Sequence, residues 1–584
     1  MRLVLNRMGS RVELSSFFST EEDFRGHLLA ARSEMKLSNQ ITSTEACVRG
    51  GTIELRSSAG GKSYTRSIPY EGELFGPEGI RMMSESHLRK IGDEVTTQTF
   101  VAEASLVTKL TRTLKGEETL DIARRRLKTL KVEESLEGLP TRRTLWLDEK
   151  GTLLKQEEAG PFGLIEVMLA ERASALASVS KGDLAVEMFE RSIVRSNIRL
   201  PRNRPLERLK VRLVHRNPHL GWPELDRPHQ SVLEKTARTL ILEIHRPPLP
   251  DGTAFPVHLT EKNSPFLEPN AYLQSDDPDI QRLARHLVVR EKDAFKAALR
   301  LERWVAENLT FDLGLVLAPA SEILKDRRGT CLGFATFLAT LARAAGIPAR
   351  IVFGYVYALG MFGGHAWTEI LAGEEWIPLD AAIVNEGPAD AARIAVLSSS
   401  LAAGPVELAL GGGQQLFGQV DIEILEYDVG GKTWKVPVGA ESYTIEGNCY
   451  RNPWLGVELE KPDAFRFAQL NAVWPESTLV AMEGPAGASI SLDQHEVYPW
   501  QDAKREALRK LETLIPGGKK LSSVTAGGKS AAGVANEEGS RAALAVVRGR
   551  EVFILRVEAS DGLKILQELA HRLRIEEEPV PQNE

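Results

Sequence analysis

Three residues close together in the sequence have side chains suited to nucleophilic catalysis: Cys331, His365 and Asp380. A thiolate can attack a carbonyl, an imidazole can carry the proton, and a carboxylate can fix the imidazole tautomer. Cys331 precedes an almost entirely apolar run, 332–345, which a Gly-Ile-Pro sequence ends. This pattern predicts a buried helix with Cys331 at its N-terminus, where the helix dipole lowers a thiol pKa. Taken alone, Cys331 could equally be a small buried apolar residue.

The spacing between His365 and Asp380 predicts a β-hairpin. The expected strands are 365–371 and 374–380, joined by a turn at residues 372–373. A turn symmetric about those two residues places His365 directly opposite Asp380. The carboxylate could then accept a hydrogen bond from the imidazole and leave the other ring nitrogen for the thiol. A His registered against an Asp, in the same short block as the Cys, favours catalysis over a structural role.

Five short motifs around these residues resemble the bacterial transglutaminase-like superfamily. They are Arg-Arg-Gly-Thr-Cys (327–331), Leu-Ala-Arg-Ala-Ala-Gly-Ile-Pro-Ala-Arg (341–350), Gly-Tyr-Val (354–356), His-Ala-Trp-Thr-Glu (365–369) and Trp-Ile-Pro-Leu-Asp (376–380). The resemblance implies a cysteine-protease-like core of the papain type. At the matching positions it implies Cys331 as nucleophile, His365 as base and Asp380 as the residue that orients the base. Where many members have Pro-Thr after the Asp, this chain has Ala-Ala, which leaves the three catalytic positions unchanged.

The resemblance implies acyl transfer from a peptide, amide or ester to water or to an amine. Both reactions pass through a thioester, so a peptidase or amidase and a glutamine–amine transferase (a crosslinking enzyme) both stay open. We expect hydrolysis, because several of the large apolar side chains near the site must pack the Cys331 helix against its sheet, which leaves few to exclude water. The side chains considered are Phe353, Tyr355, Tyr357, Met361, Phe362, Trp367 and Trp376. A glycine-flanked segment, 359–364, is expected to form a loop at the rim of the site. A third hypothesis is a catalytically silent binding or scaffold module, although such a module would not require all three residues.

The composition is that of a globular protein, with 42% hydrophobic and 26% charged residues. The net charge of −7 gives no overall field that favours nucleic acid, so the expected partner is a protein or peptide substrate. Three cysteines, at 47, 331 and 449, are too few for a disulfide framework or a zinc site. Since C-x-x-C and H-E-x-x-H motifs are also missing, we expect no metal and no cofactor.

No apolar stretch of about 20 residues occurs, so the sequence predicts no membrane-spanning helix. The first residues also lack the apolar run of about 7–15 residues of a signal peptide. We therefore expect a cytoplasmic protein if Met1 is the true N-terminus. If the chain begins upstream of Met1, we expect export to the cell envelope.

A chain of 584 residues is too long for one core and predicts an α+β protein of several domains. We predict a β-rich N-terminal domain (1–190), a β connecting region (191–269), a transglutaminase-like catalytic domain (270–400) and a C-terminal α+β module (415–584). The segment Asn-Pro-Trp-Leu-Gly-Val-Glu-Leu-Glu-Lys-Pro, 452–462, resembles the opening of PsbP-like α/β sandwiches. We expect the C-terminal module to be separate, dispensable for the chemistry, and linked through a protease-sensitive glycine run at 411–413.

Two helices are predicted in front of the Cys331 helix. Asp277 followed by Pro278 is typical of a helix start, with the Asp as N-cap and the Pro in the first turn. A second amphipathic helix is indicated by apolar residues at 294, 298, 301 and 305.

Overall fold

The computed structural model describes residues 2–577, apart from 8–9, 38–39, 103–104, 123–124, 139–141, 161–162, 176–185, 188–192, 203, 251, 259, 314–316, 403–413, 471–476 and 523. The glycine run predicted as a linker at 411–413 lies outside the described residues. The described chain mixes helices with six sheets and one two-stranded ladder, as the α+β prediction requires.

The N-terminal part of the chain consists mainly of two antiparallel sheets with one helix between them in sequence. The seven-stranded sheet contains Arg2–Arg7, Ser10–Glu22, Leu28–Leu37, Gln40–Arg49, Thr52–Ala59, Lys62–Pro69 and, parallel to the first of these, Val186–Glu187. The six-stranded sheet contains Glu94–Val101, Leu106–Ile122, Arg125–Leu136, Arg142–Leu147, Leu153–Gly160 and Gly163–Met168. The helix is Pro77–His87, which begins with Pro in its first turn.

The sheet that carries His365, here called the central sheet, has five strands. In spatial order they are Val194–Arg195, Met361–Ala372, Ala349–Ala358 and Arg393–Ser399, and Glu375–Leu379 also pairs with Met361–Ala372. Neighbouring strands are antiparallel throughout.

A second five-stranded sheet, here called the adjoining sheet, crosses a predicted domain boundary. Its order is Gln230–Lys235, Thr239–His245, Arg208–His215, Val420–Val429 and Lys432–Lys435. Leu213 lies opposite both Leu240 and Ile422, so strands from before and after the central sheet form one layer. The region 191–269, predicted as a connector, therefore shares a sheet with the first strands of the region predicted as the C-terminal module.

Four α-helices of the described chain lie in sequence between the first strand of the central sheet, Val194–Arg195, and its other strands, and they share one hydrophobic core with the sheet. They are Pro278–Leu287, Ala294–Asn308, Ala320–Asp326 and Cys331–Ala344. The predicted cap is present, since Asp277 Oδ1 accepts hydrogen bonds from the backbone N–H groups of Asp279 and Ile280 at 2.9 and 3.2 Å. A short parallel ladder, Thr310–Phe311 with Arg328–Gly329, leads into the last of these helices.

The helix Cys331–Ala344, here called the Cys331 helix, is buried along nearly its whole length, as its apolar sequence predicts. Its Phe337, Leu338 and Leu341 share one core with Ile351 and Ile370 of the central sheet. Thr368 Oγ1 donates a hydrogen bond to the Ala335 carbonyl at 2.9 Å and ties the helix to the His365 strand. The helix is therefore fixed both in position and in rotation relative to His365.

The C-terminal part is an α/β arrangement around an eight-stranded sheet. Its strands are Arg466–Phe467, Thr478–Glu483, Ser489–Glu496, Glu551–Glu558, Arg541–Arg548, Lys529–Ala535, Lys519–Lys520 and, beside Lys529–Ala535, Val524–Ala526. Helix Ala503–Leu514 packs on Ala545 and Ile554, whereas helix Gly562–Arg572 packs on the alternate residues Leu544 and Leu555. Because successive strand residues point to opposite faces, the two helices cover opposite faces of this sheet.

A smaller four-stranded sheet, Thr444–Glu446, Cys449–Asn452, Val457–Glu460 and Leu573–Ile575, accompanies the C-terminal part. A three-residue helix, Gln414–Leu416, precedes the strand Val420–Val429 in sequence. None of the helices in the described ranges combines the length and apolar character that crossing a bilayer would require.

Both hairpins of the central sheet have two-residue turns. Leu359 and Gly360 have φ of 49° and 88°, and two positive φ values are typical of a type I′ turn. Strand pairing resumes at Met361 and continues through Gly364, so the loop predicted over 359–364 is wrong beyond residue 360. Gly363 and Gly364 are strand residues.

The second hairpin turns at Gly373 and Glu374, because Ala372 pairs with Glu375. Gly373 has φ of 67°, a backbone conformation that glycine adopts without strain at the first central position of a type II′ turn. The predicted turn centre at 372–373 is therefore wrong by one position. As a result, each residue of the first strand faces a residue of the second strand that is two positions further along the chain than predicted.

Candidate active site

Cys331 is the first residue of its helix and is buried, with 9% of its surface exposed. The residue before it, Thr330, is the N-cap and still has extended backbone, with φ of −77° and ψ of −177°. The helical conformation therefore begins at Cys331. The first hydrogen bond of the helix runs from the Phe334 N–H to the Thr330 carbonyl at 3.0 Å. The thiol thus lies at the positive end of a buried helix dipole, where an anion is stabilised.

His365 and Asp380 meet, although not as direct cross-strand partners. Leu379 lies opposite Thr368, and continuing the same register brings Asp380 next to Trp367. The prediction that His365 lies directly opposite Asp380 is therefore wrong. A shift of two residues keeps every side chain on its original face, because side chains alternate with a period of two. His365 Nε2 accordingly lies 2.9 Å from Asp380 Oδ2.

The hydrogen bond to Asp380 determines how His365 can act. A carboxylate only accepts hydrogen bonds, so Nε2–H of the ring is the donor. Nδ1 is then the ring nitrogen left for Cys331, whose thiol interacts with the imidazole through a side-chain hydrogen bond and through charge. The Trp367 ring stacks near the imidazole, with 6.3 Å between ring centroids and 22° between planes. This packing limits rotation of the imidazole.

Charges around His365 favour its protonated form. Burial alone lowers the pKa of His365, but the charges of Asp380 and Cys331 outweigh burial and raise the pKa to about 10. The pKa of Asp380 is well below its ordinary value: burial raises it, and the positive charges of His365 and Arg393 lower it by more. Both shifts favour an imidazolium–carboxylate pair of His365 and Asp380 at neutral pH.

Asp380 has a hydrogen-bond partner for each of its oxygens. Oδ2 accepts from His365 and from Arg393 Nε and Nη2, at 3.0 and 2.8 Å. Oδ1 accepts from the backbone N–H groups of Ala382 and Ile383, each at 3.1 Å. Such a network fixes the carboxylate and keeps it ionised.

A second carboxyl group, that of Glu302 on helix Ala294–Asn308, lies next to Asp380. Glu302 Oε1 accepts a hydrogen bond from the Asp380 backbone N–H at 2.7 Å. Burial raises the pKa of Glu302 to about 8, and the negative charge of Asp380 contributes in the same direction. Glu302 is therefore a neutral acid at pH 7.

Gly354 allows the strands around His365 to come together. It is paired with His365 on one side and with Ala395 on the other. A Cβ atom at this position would lie 1.9 Å from the Ile394 carbonyl oxygen and 2.9 Å from the Trp367 ring. Any side chain at position 354 would therefore displace Trp367 or the neighbouring strand.

The structure brings together the three residues singled out from the sequence, Cys331, His365 and Asp380, in one buried site. Sequence reasoning missed Glu302 and Arg393. Glu302 had a recognisable signal, because it falls at i+4 from Ala298 and i−3 from Val305, on the apolar stripe of its helix. Arg393 had no such signal, since it stands at the start of an ordinary apolar strand.

Comparison with known families supports the resemblance read from the motifs. Residues 281–381 match the model of the Transglutaminase-like superfamily. This segment is transglutaminase-like. It contains Cys331, His365 and Asp380, and the family prediction is confirmed over these residues. No curated protein matches the chain.

Solved structures similar to parts of this chain include two proteins described as proposed proteases. One, a proposed cysteine protease from Cytophaga hutchinsonii, is 19% identical and covers 40% of this chain and 85% of its own, with a TM-score of 0.26. The other, from Parabacteroides distasonis, is 11% identical and covers 98% and 97%, with a TM-score of 0.16. A β-barrel-like protein from Brucella abortus is 14% identical and covers 27% and 73%, with a TM-score of 0.22. At these scores the three structures support no argument about fold or function.

A metal centre finds no support in the described ranges. No group of three or more His, Cys, Asp or Glu side chains there could hold a metal ion.

Proposed function

We propose that this protein is a transglutaminase-like thiol enzyme that hydrolyses peptide or amide bonds, with Cys331 as nucleophile, His365 as acid and base, and Asp380 as the orienting carboxylate. The observation that carries the proposal is the 2.9 Å bond from His365 Nε2 to Asp380, which leaves Nδ1 for Cys331. A structural histidine would not need a buried thiol on one ring nitrogen and a buried carboxylate on the other.

In the first half of the reaction the Cys331 thiolate attacks the substrate carbonyl carbon and forms a tetrahedral oxyanion. The backbone N–H of Cys331, at the positive end of its helix, stabilises that charge. His365 then donates its Nδ1 proton to the leaving amine, the C–N bond breaks, and an acyl thioester on Cys331 remains. Asp380 holds the imidazole ring in place both when Nδ1 carries a proton and when it does not.

In the second half His365 is neutral and Nδ1 accepts a proton from the acyl acceptor. With water as acceptor, the hydroxide formed attacks the thioester, the C–S bond breaks and the carboxylic acid leaves. Cys331 returns to a thiolate beside the protonated imidazole. With a primary amine as acceptor, the same steps would form a new amide bond.

Packing of the aromatic residues favours water as the acceptor. Tyr355, Tyr357 and Phe362 are no more than 1% exposed and belong to the core between the central and adjoining sheets. Two of their hydroxyls are used there: Tyr355 donates to the Leu416 carbonyl and Tyr357 accepts from the Leu200 N–H. These rings are therefore unable to wall a tunnel that would protect the thioester from water.

The proposal is tested with a panel of peptide and amide substrates on the wild type, Cys331→Ala and Cys449→Ala. We expect free acid as the main product and a loss of activity of about 10³-fold or more in Cys331→Ala. Cys449→Ala is the matched control, since burial raises the pKa of the Cys449 thiol and makes it a poorer nucleophile. Its activity should equal that of the wild type.

Two results would contradict the proposal in different ways. Dominant incorporation of an added primary amine into a glutamine-donor peptide, with little free acid, identifies a transferase. No turnover that depends on Cys331, together with alkylation of Cys331 only at the pH of an ordinary thiol, identifies a silent binding module.

For the C-terminal part we propose a PsbP-like α/β sandwich. The support is the resemblance of 452–462 together with two helices on opposite faces of the eight-stranded sheet. A crystal structure of the full chain tests this proposal: strand order and helix placement that match a PsbP-like protein support it, and a different strand order rejects it.

A further inference from the structure

Arg393 binds both Asp380 and the turn that follows Asp380. Its Nε and Nη2 donate to Asp380 Oδ2 at 3.0 and 2.8 Å, and Nη2 also donates to the Ile383 carbonyl at 2.7 Å. The Arg393 side chain is only 3% exposed. One planar guanidinium therefore fixes the carboxylate and its backbone relative to each other.

Arg393 is itself held by further buried charges. Its Nη1 donates to Asp390 Oδ1 at 2.7 Å and to Asn385 Oδ1 at 3.0 Å. The other oxygen of Asp390 accepts from Arg202 Nη1 at 2.6 Å. Asp390 is fully buried and Arg202 is 4% exposed, so these charges depend on each other for compensation.

Arg202 links this series to the C-terminal sheet. Its Nε donates to Glu496 Oε1 at 3.3 Å, and its backbone N–H donates to Glu551 Oε1 at 3.2 Å. Glu551 is in turn paired with Arg548 at 2.8 Å, and neither side chain is more than 1% exposed. We call the series Asp380, Arg393, Asp390, Arg202 and Glu551 the charge chain.

A second contact joins the C-terminal part to the active site independently of the charge chain. Arg550 Nη2 donates to the Val384 carbonyl and its Nε to the Val497 carbonyl, each at 3.0 Å. Tyr498 directly follows Val497 in the sequence. Burial raises the pKa of Tyr498, and the negative charge of Asp380 adds to that effect. Tyr498 is therefore within electrostatic reach of Asp380.

From this geometry we propose that Arg393 is a positioning residue for the His365–Asp380 pair, and that Asp390, Arg202 and Glu551 hold Arg393 in place, so that the C-terminal sheet is part of the active-site framework. The proposal rests on the proposed function, since it concerns how that site is held. It also reverses the expectation that residues 415–584 are dispensable for the chemistry.

Positioning and simple charge effects of Arg393 predict opposite changes in His365. The titratable or charged groups near the His365–Asp380 pair include Cys331, Arg393, Glu302 and Tyr498. If Arg393 acts only as a nearby cation, its removal raises the pKa of His365, because a like charge is lost. If it positions Asp380, its removal loosens the His365–Asp380 contact and lowers that pKa.

The test uses full-length Arg393→Met, Arg393→Lys and Arg202→Met, with Arg112→Met as the matched control. Arg112 forms a 2.8 Å ion pair with Glu134 in the six-stranded N-terminal sheet, outside the charge chain. The alkylation rate of Cys331 by iodoacetamide is measured against pH, which needs no substrate, together with kcat/KM and the melting temperature. The upper step of the alkylation profile reports deprotonation of His365.

We expect the upper step to move down by about 1 pH unit in both Arg393 variants, with kcat falling about 100-fold and KM changing little. Lys should not restore the wild-type profile, because it lacks the planar fork. Arg202→Met should shift the step in the same direction with about a 10-fold loss of kcat, since Asp390 stays beside Arg393. Arg112→Met should change the melting temperature alone.

Three outcomes overturn the inference while leaving the proposed function intact: an upward shift in Arg393→Met, full rescue by Lys, or an Arg202→Met profile equal to that of Arg112→Met. A wild-type alkylation profile of an ordinary thiol overturns both the proposed function and this inference. Melting curves of each variant separate these outcomes from simple unfolding.

Discussion

The charge chain and the six-stranded N-terminal sheet both contain paired charges, but they use them differently. In the N-terminal sheet Arg112 and Glu134 are direct cross-strand partners of one hairpin, with side chains 14% and 5% exposed. In the charge chain Arg202 and Asp390 lie 188 residues apart, come from different parts of the chain, and are 4% and 0% exposed. The first pair follows from strand register, whereas the second brings separate elements together.

This difference has an energetic consequence. When Glu134 is lost, the side chain of Arg112, which is 14% exposed, can contact water instead, so the loss of stability is moderate. A fully buried pair leaves an uncompensated charge when one member is lost, and that charge is expensive. We infer that buried charges persist around Asp380 because they fix geometry, at a place where apolar residues could not orient a carboxylate.

The largest expected effect lies at the functional end of the charge chain. Asp380→Asn should lower kcat by about 10²–10⁴-fold with the protein still folded, because Arg393 keeps Asp390 as a partner while His365 loses its anionic acceptor. Steady-state kinetics and circular dichroism measure the two parts. Glu134→Gln, which alters a buried carboxylate in the N-terminal sheet, should leave kcat unchanged. Near-normal turnover in folded Asp380→Asn would falsify its orienting role.

The comparison itself is tested by removing one acid from each region. Asp390→Asn leaves Arg202 and Arg393 without their shared anion, and should lower the free energy of unfolding by about 3–5 kcal/mol. Glu134→Gln should cost about 1–2 kcal/mol, because Arg112 can contact water. Urea unfolding of both variants gives the difference, and equal losses would remove the distinction drawn between the two regions.

A smaller effect concerns Glu302, whose pKa burial raises to about 8. Between about pH 4.5 and pH 8 the unfolded chain releases this proton and the folded protein keeps it, so stability falls as pH rises. Glu302→Gln cannot ionise and still accepts the Asp380 N–H, so its loss of stability from pH 5 to pH 8 should be smaller by about 2–4 kcal/mol.

Glu118 of the N-terminal sheet provides the contrasting control for Glu302. The hydrogen bonds from Lys131 and Trp146 lower the pKa of Glu118, so its contribution to stability is lost as pH falls. Glu118→Gln should therefore flatten the acid side of the stability profile and leave the range from pH 5 to pH 8 unchanged. Parallel profiles for wild type and Glu302→Gln in that range would count against a buried neutral Glu302.

Much of the site could be predicted from local pattern. The apolar run after Cys331 predicts a buried helix, and Gly373 between two β-type runs predicts a hairpin turn, and the structure has both. The predicted contact between His365 and Asp380 is present although the predicted register was wrong by two residues. Strand side chains alternate between faces, so an even shift keeps both residues on one face.

The tertiary structure alone decided the rest. The register depended on whether glycine took the first or second position of a two-residue turn, and the φ of Gly373 decides this. Besides His365, Asp380 binds Arg393, and Arg393 is linked through Asp390 to Arg202. Local periodicity in the sequence cannot predict contacts between residues so far apart. Periodicity reports which face of an element is buried, whereas the identity of the buried charge on the opposing element depends on how the sheets pack.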